Sequence, residues 1–275
     1  MLFVATTMGG MQLGDHDLAY ALTYTSNYDP ARSWFVGHTW SLSVEEQFYL
    51  LWPALIGLAG RRRALVAAAG AVLLVPAVRV ASWELMRWSG DGIGHRFETV
   101  ADAIAIGCVL AGTRDWLHRS ALYMRVLASP WFLIVPCLAV AGNLLHDHPV
   151  AHFVIGMSVT NLAVAATIDW CVTYASGRVG RVLNCAPLVF VGTISYSLYL
   201  WQQLFLNRSA VNAMSTFPLN IVLACAAALA SFYLVEQPSL RLRSRIEAAW
   251  RRPSPAERSL RGQLHDEHVL PEGAL

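Results

Sequence analysis

Glu45 stands in the string Trp40-Ser-Leu-Ser-Val-Glu-Glu-Gln-Phe-Tyr-Leu-Leu-Trp-Pro53, which leads into a long apolar stretch. A carboxylate held there can orient a hydroxyl or take its proton, the work of a general base. On a helix, Ser41, Glu45, Phe48, Tyr49 and Trp52 fall along one face. The carboxylate then gains aromatic walls able to hold a sugar ring. Arg79 and Asp102 also lie inside apolar stretches, where charge is expensive and marks function by default. Pairing of Arg79 with Glu45 or Asp102 as a structural ion pair is the plainer alternative. Counted along helices, Glu45 and Asp102 sit about 7 Å from one surface and Arg79 about 6–8 Å from the same surface. Gln202 and Gln203 fall at a similar depth. The expectation is one polar cavity, open to that side, shared by Glu45, Arg79, Asp102 and Gln202.

Other candidate groups are weaker. His38 precedes the Glu45 helix and is open to three roles: substrate binding, helix capping or solvent exposure. His146, His148 and His152 have a spacing that suits metal, but they share a short loop with Asp147 and lack a cysteine partner. They read as solvated histidines, and no metal site is expected. The five cysteines are scattered without a CxxC and read as small packing residues. No phosphate loop, zinc motif or serine elbow occurs. A net charge of +2 makes no case for a nucleic-acid partner.

The elements that must position these residues are membrane helices. The chain of 275 residues is 56% hydrophobic and 14% charged, against about 25% charged in ordinary soluble domains. A soluble protein of this size would have to show that surplus to water, whereas lipid removes the penalty. The apolar stretches predict an all-α polytopic bundle of about seven spans, near 41–59, 64–83, 97–113, 130–146, 151–174, 187–207 and 217–236. Met1–Leu13 is an apolar stub too short to cross, and residues 14–40 form a polar loop. All 20 basic residues are arginine. With the C-terminus inside, fifteen lie in cytoplasmic segments and four outside, as the positive-inside rule requires. Residues 1–238 then form one membrane domain. Residues 239–275 form a basic tail, in which Leu242, Ile246 and Trp250 fit either a short helix on the anionic inner leaflet or solvated chain. The polypeptide has no basic region ahead of its first apolar residues and so no secretory signal.

Four strings carry a resemblance. His38-Thr-Trp-Ser-Leu-Ser-Val-Glu-Glu-Gln-Phe-Tyr-Leu-Leu-Trp-Pro53 is similar to the hallmark segment of the acyltransferase-3 family of membrane acyltransferases. Asp102-Ala-Ile-Ala-Ile-Gly-Cys-Val-Leu-Ala111, Gly192-Thr-Ile-Ser-Tyr-Ser-Leu-Tyr-Leu-Trp201 and Tyr233-Leu-Val-Glu-Gln-Pro238 follow in the family's order. The resemblance implies the C-terminal part of a ten-span fold, with the first three spans missing and Met1–Leu13 similar to the end of the third. It further implies transfer of an acyl group other than aminoacyl, usually acetyl, from cytoplasmic acyl-CoA to a hydroxyl on a carbohydrate at the outer side of a bacterial inner membrane. Acyl-CoA is then a co-substrate, lipid and the carbohydrate acceptor are the other partners, and no cofactor is bound.

The resemblance puts the family's catalytic histidine in a first span absent from this chain. Gln202 stands where the family has a second histidine, and Gln237 where arginine is usual. Glu45 remains the candidate catalytic residue, with Trp40, Ser41, Tyr49, Arg79, Asp102, Ser195, Tyr196, Tyr199 and Gln202 as candidate substrate-binding residues. Little turnover is expected of a chain so truncated. Arg61, Arg62 and Arg63 suit the phosphates of CoA, although the positive-inside rule explains them without a ligand. A non-catalytic protein that binds or transports a lipid-linked sugar is the alternative reading.

Overall fold

The computed structural model describes residues 14–88, 90–144, 148–206 and 213–250. The apolar stub, His146, Asp147, Arg208 and the tail beyond Trp250 lie outside them. The described residues are helical, without strands. Among the described residues, nine helices of eight residues or more carry the fold: α1 (Thr39–Ala59), α2 (Arg61–Glu84), α3 (Asp102–Arg119), α4 (Ala121–Ala128), α5 (Ile134–Asn143), α6 (Met157–Thr173), α7 (Ala186–Phe205), α8 (Leu219–Ser231) and α9 (Gln237–Trp250). On length and composition alone, α2 qualifies as a membrane span, with a mean hydropathy of 2.1 over its most apolar window. So does the rod Leu219–Ala248, at 1.8. The pair Ala121–Ala128 and Pro130–Gly142 qualifies only as one span bent by 69°.

Helices stand at each of the seven expected places, with altered ends. Gly60 at φ +81° makes the break between α1 and α2, a conformation open to a residue without a Cβ. The third helix begins at Asp102, because Phe97–Val100 forms a separate turn. Ser120 caps α4 by accepting from the Tyr123 N–H. A π-helical turn, Phe232–Glu236, joins α8 to α9. Helix therefore crosses the expected boundary at 238, with Pro238 directly after the π-helical turn inside the continuous rod Leu219–Ala248.

Helices α2 and α3 pack together, as do α5 with α6 and α7 with α8. Phe48, Ala68 and Ala105 bring α1, α2 and α3 to one core. A Cβ on Gly142 would lie 2.6 Å from the Gly156 carbonyl oxygen, and one on Gly156 2.6 Å from the Gly142 carbonyl. Small residues of this kind let membrane helices approach closely. Large apolar side chains turn outward, among them Leu58 at 90% exposure and Leu73 at 77%. That is a lipid-facing surface rather than a water-facing one.

Two carboxylates hold the bundle at opposite ends. At one end, Arg79 is fully buried and paired with Asp102, whose other oxygen accepts from Asn161 Nδ2 at 3.1 Å. Arg79 Nε donates to the Thr99 carbonyl at 2.6 Å, and Nη1 reaches the Phe153 carbonyl and Ser158. The pair thus ties α2, α3 and the first turns of α6. At the other end, Asp169 on α6 accepts from Arg114 Nε at 2.7 Å and the Tyr123 hydroxyl at 2.7 Å, and lies 2.9 Å from His118 Nε2. Between these clusters runs an apolar cleft of about 460 Å³ along α3 and α6.

Removing one partner of a buried ion pair strands the other. Asp102→Ala is expected to cost about 3–5 kcal/mol, and Arg79→Met with Asp102→Leu distinctly less. Thermal unfolding of the detergent-solubilised protein checks the order.

Candidate active site

A groove of about 490 Å³ opens between α1, α7 and the segment that precedes α1. Glu45, Glu46 and Tyr49 supply one wall, Tyr196 and Leu200 another, and Tyr24, Ser26 and Thr39 the rim. The spacing expected from sequence explains the first wall, since Glu45 and Tyr49 are one helical turn apart. The rim is fastened to α1 by hydroxyl and amide bonds. Ser26 Oγ and Ser43 Oγ are 2.9 Å apart, Thr39 Oγ1 donates to Ser26 Oγ at 3.1 Å, and Gln47 Nε2 donates to Asn27 Oδ1 at 2.9 Å.

A second cluster holds α7 against the start of α1. The Tyr199 hydroxyl donates to the His38 carbonyl at 2.5 Å and lies 2.6 Å from Ser41 Oγ. Its ring meets the His38 ring edge-on, with centroids 5.1 Å apart. Gln203 Nε2 donates to the Trp34 carbonyl at 2.9 Å. His38 is 8% exposed, and among the described residues neither ring nitrogen makes a hydrogen bond of good geometry, the Leu200 backbone being its weak partner. It does not cap α1 through its side chain. Burial holds its pKa below the ordinary value of 6.5, with the Leu200 backbone opposing the shift only in part.

The structure brings some of the expected site residues together and separates others. Glu45, Tyr49 and Tyr196 share the groove, and Ser41 and Tyr199 lie bonded beside it. Arg79 and Asp102 do not belong to this cavity; they face each other in the closed network with Thr99 and Asn161. The charged neighbour of Glu45 is Glu46. Gln202 is absent from the groove lining. Trp40 turns toward the outer loop and meets His95 edge-on at 4.4 Å. Ser195 is exposed and returns its hydroxyl to the Gly192 carbonyl at 2.8 Å. The expected single cavity is therefore two separate sites. Counting along helices does not fix direction around the bundle.

Sequence reading passed over Glu46, Ser43 and the rim residues Ser26 and Thr39. Glu46 lay beside the chosen carboxylate, and Ser43 sits one turn from Thr39, so periodicity held a signal for both. Ser26 meets Ser43 of α1 at a separation of seventeen residues, a contact that periodicity cannot show.

Paired carboxylates, ring faces and hydroxyls around one cavity suit a polyhydroxylated acceptor. Residues 2–236 match the acyltransferase-3 profile, described as an acyltransferase domain. The chain belongs to the acyltransferase-3 family. It is 26% identical over 253 residues to YrhL of Bacillus subtilis, covering 81% of this chain and 39% of that protein. It is 24% identical over 217 residues to the O-acetyltransferase OatA of Staphylococcus aureus, covering 73% and 35%. It is 23% identical over 247 residues to the peptidoglycan O-acetyltransferase OatA of Listeria monocytogenes, covering 80% and 38%. The chain thus spans less than two fifths of the length of these relatives. No solved structure matches.

Because folding lowers the His38 pKa, the unfolded chain binds its proton more readily. The stabilisation from keeping His38 neutral is present above pH 6.5 and is lost as pH falls through the lowered folded value. The midpoint of thermal unfolding in detergent is expected to drop on acidification below that pH, and His38→Gln to flatten the drop.

Proposed function

We propose that this protein moves an acyl group, acetyl in the simplest case, from acyl-CoA to a hydroxyl of a cell-envelope carbohydrate of the peptidoglycan class. Family membership supports acyl transfer, and the relatives named as O-acetyltransferases support the bond formed. The observation that carries the acceptor class is the groove that joins Glu45 and Glu46 to the rings of Tyr49 and Tyr196.

In this reading the acceptor ring lies against the tyrosines, and Glu45 takes the hydroxyl proton as the oxygen attacks the thioester carbonyl. The new C–O bond forms, the C–S bond breaks, and the proton passes on to the departing CoA thiolate. Glu46 and the rim hydroxyls orient the remaining sugar hydroxyls. Seven spans, with the C-terminus in the cytoplasm of a bacterial inner membrane, put Glu45 in the outer half and Arg61–Arg63 on the side where CoA is found. The arginine distribution supports that orientation. The helices that build the groove, α1 and α7, carry the glutamates, tyrosines and amides. That polarity keeps them off the list of spans recognised by composition alone, without arguing against their crossing.

Membranes containing the protein, supplied with labelled acetyl-CoA and a peptidoglycan acceptor, are expected to transfer label slowly, in keeping with the little turnover read from the sequence. Glu45→Gln is expected to lower the rate by about 10²–10⁴-fold. Equal transfer by wild type and variant removes Glu45 from the chemistry.

A further inference from the structure

The two outer segments build a second cavity that the reaction does not use. It measures about 180 Å³ and is lined by Asn27, Tyr28, Asp29, Arg32, Trp88 and Arg96 together with Pro30 and Gly92. Its walls are set by side chains from distant parts of the chain. Tyr28 Oη donates to Glu98 Oε2 at 2.9 Å, and Arg32 Nη2 lies 2.8 Å from His95 Nδ1. Burial, reinforced by Glu98, pushes the Tyr28 hydroxyl up to about 12, so it remains a donor. The Arg96 guanidinium lies 4.2 Å over the Trp88 ring and 5.7 Å from the Tyr28 ring. A stacked guanidinium keeps its N–H groups in the ring-parallel plane, available to oxygen acceptors. Asp29 is buried, with one oxygen held by the Ala31 N–H at 2.9 Å.

The charges nearly cancel: Arg32, Arg96 and Asp29 line the wall, and Glu98 stands behind it against Tyr28 and Arg96. An anion entering here meets Asp29, and Glu98 already engages one of the two arginines, so the cavity is not tuned to phosphate. Fixed donors, fixed acceptors and an indole in one small concavity instead match a neutral, hydroxyl-rich ring. Position adds to chemistry. Ser26 lines the Glu45 groove, whereas the next two residues, Asn27 and Tyr28, line this cavity. The Asn27–Gln47 amide pair pins that shared wall to α1. Successive residues are 3.8 Å apart, so the two cavities are neighbours.

We infer that the cavity lined by Asn27, Asp29, Trp88 and Arg96 is a second carbohydrate subsite, which holds a neutral sugar unit beside the one whose hydroxyl is acylated in the Glu45 groove. The inference rests on the acyl-transfer reading for its neighbouring unit, but the binding it asserts is measurable without turnover. Two adjoining subsites make the acceptor a chain rather than a single sugar, and the preformed walls spare the ordering cost of binding.

The probe is a β-1,4-linked N-acetylglucosamine tetramer, compared with the monomer, bound to the full detergent-solubilised chain and followed by saturation-transfer NMR. Wild type and Glu45→Gln are expected to bind the tetramer more tightly than the monomer. Trp88→Ala and Asp29→Asn are each expected to weaken tetramer binding about tenfold, the loss of one charge-assisted or stacking contact, and to raise KM more than they lower kcat. Unfolding midpoints accompany each variant. If Trp88→Ala fails to fold, Trp88→Phe and Asp29→Asn carry the test. Tetramer affinity unchanged in folded variants, or no preference for tetramer over monomer in the wild type, overturns the subsite. Tetramer binding that the variants weaken, in a protein that transfers no acetyl group, keeps the subsite and rejects the acyl-transfer reading.

Discussion

A guanidinium sealed from solvent must find its counter-charge and its acceptors within the protein, and Arg79 does so by drawing three helices and a loop around itself. Asp102 neutralises it, the Thr99 and Phe153 carbonyls accept from it, and Asn161 holds the far oxygen of Asp102. Taking these charges out of water is costly, and the cost is offset only when every lone pair and N–H is matched. The geometry of this end of the bundle follows from that demand. Phe97–Val100 is folded back so that Thr99 can present its carbonyl, and the same fold sets the turn from which Arg96 reaches Trp88. Asp169 repeats the arrangement at the opposite end, tying α3, α4 and α6.

The groove follows a different logic. Its helices are joined near the outer end, by Tyr199 against His38 and Ser41 and by Gln203 against Trp34. Glu45 and Glu46 stand in the opening so made, with tyrosines rather than a counter-cation for company. A carboxylate with no arginine opposite it is poor material for stability and good material for accepting a proton. The chain thus puts its two kinds of buried charge to separate uses, one closed on itself and one left facing a cavity.

Much of the architecture was legible in sequence because oil imposes a simple rule: each crossing takes a run of apolar helix, and arginines gather on one side. Helix positions and the Glu45–Tyr49 turn came through on that basis, whereas Phe48 and Trp52, expected on the same face, turn to the core with Ala68 and Ala105. The pairing of Arg79 with Asp102 was among the alternatives that charge cost alone suggested. Direction around the bundle did not come through. Hydropathy bears on a residue's place along a helix, but rotation is decided by packing, and so Arg79 and Glu45 do not share a cavity. Trp40 and Ser195 belong to hallmark strings yet turn to His95 and to their own helix. The Ser26, Asn27 and Tyr28 contacts join loop to helix across long separations, where periodicity carries no information.

Gly142 and Gly156 contribute no chemistry, yet each leaves no room for a methyl group against the other's carbonyl. The helical turn that carries Gly156 also carries Phe153, and Ser158 follows two residues later; both reach Arg79. Any side chain added at the glycine contact must therefore part α5 from α6 and drag two of the arginine's partners with it. Tolerance to sequence drift in the arginine's surroundings is thus limited by a pair of hydrogen atoms on the far side of α6.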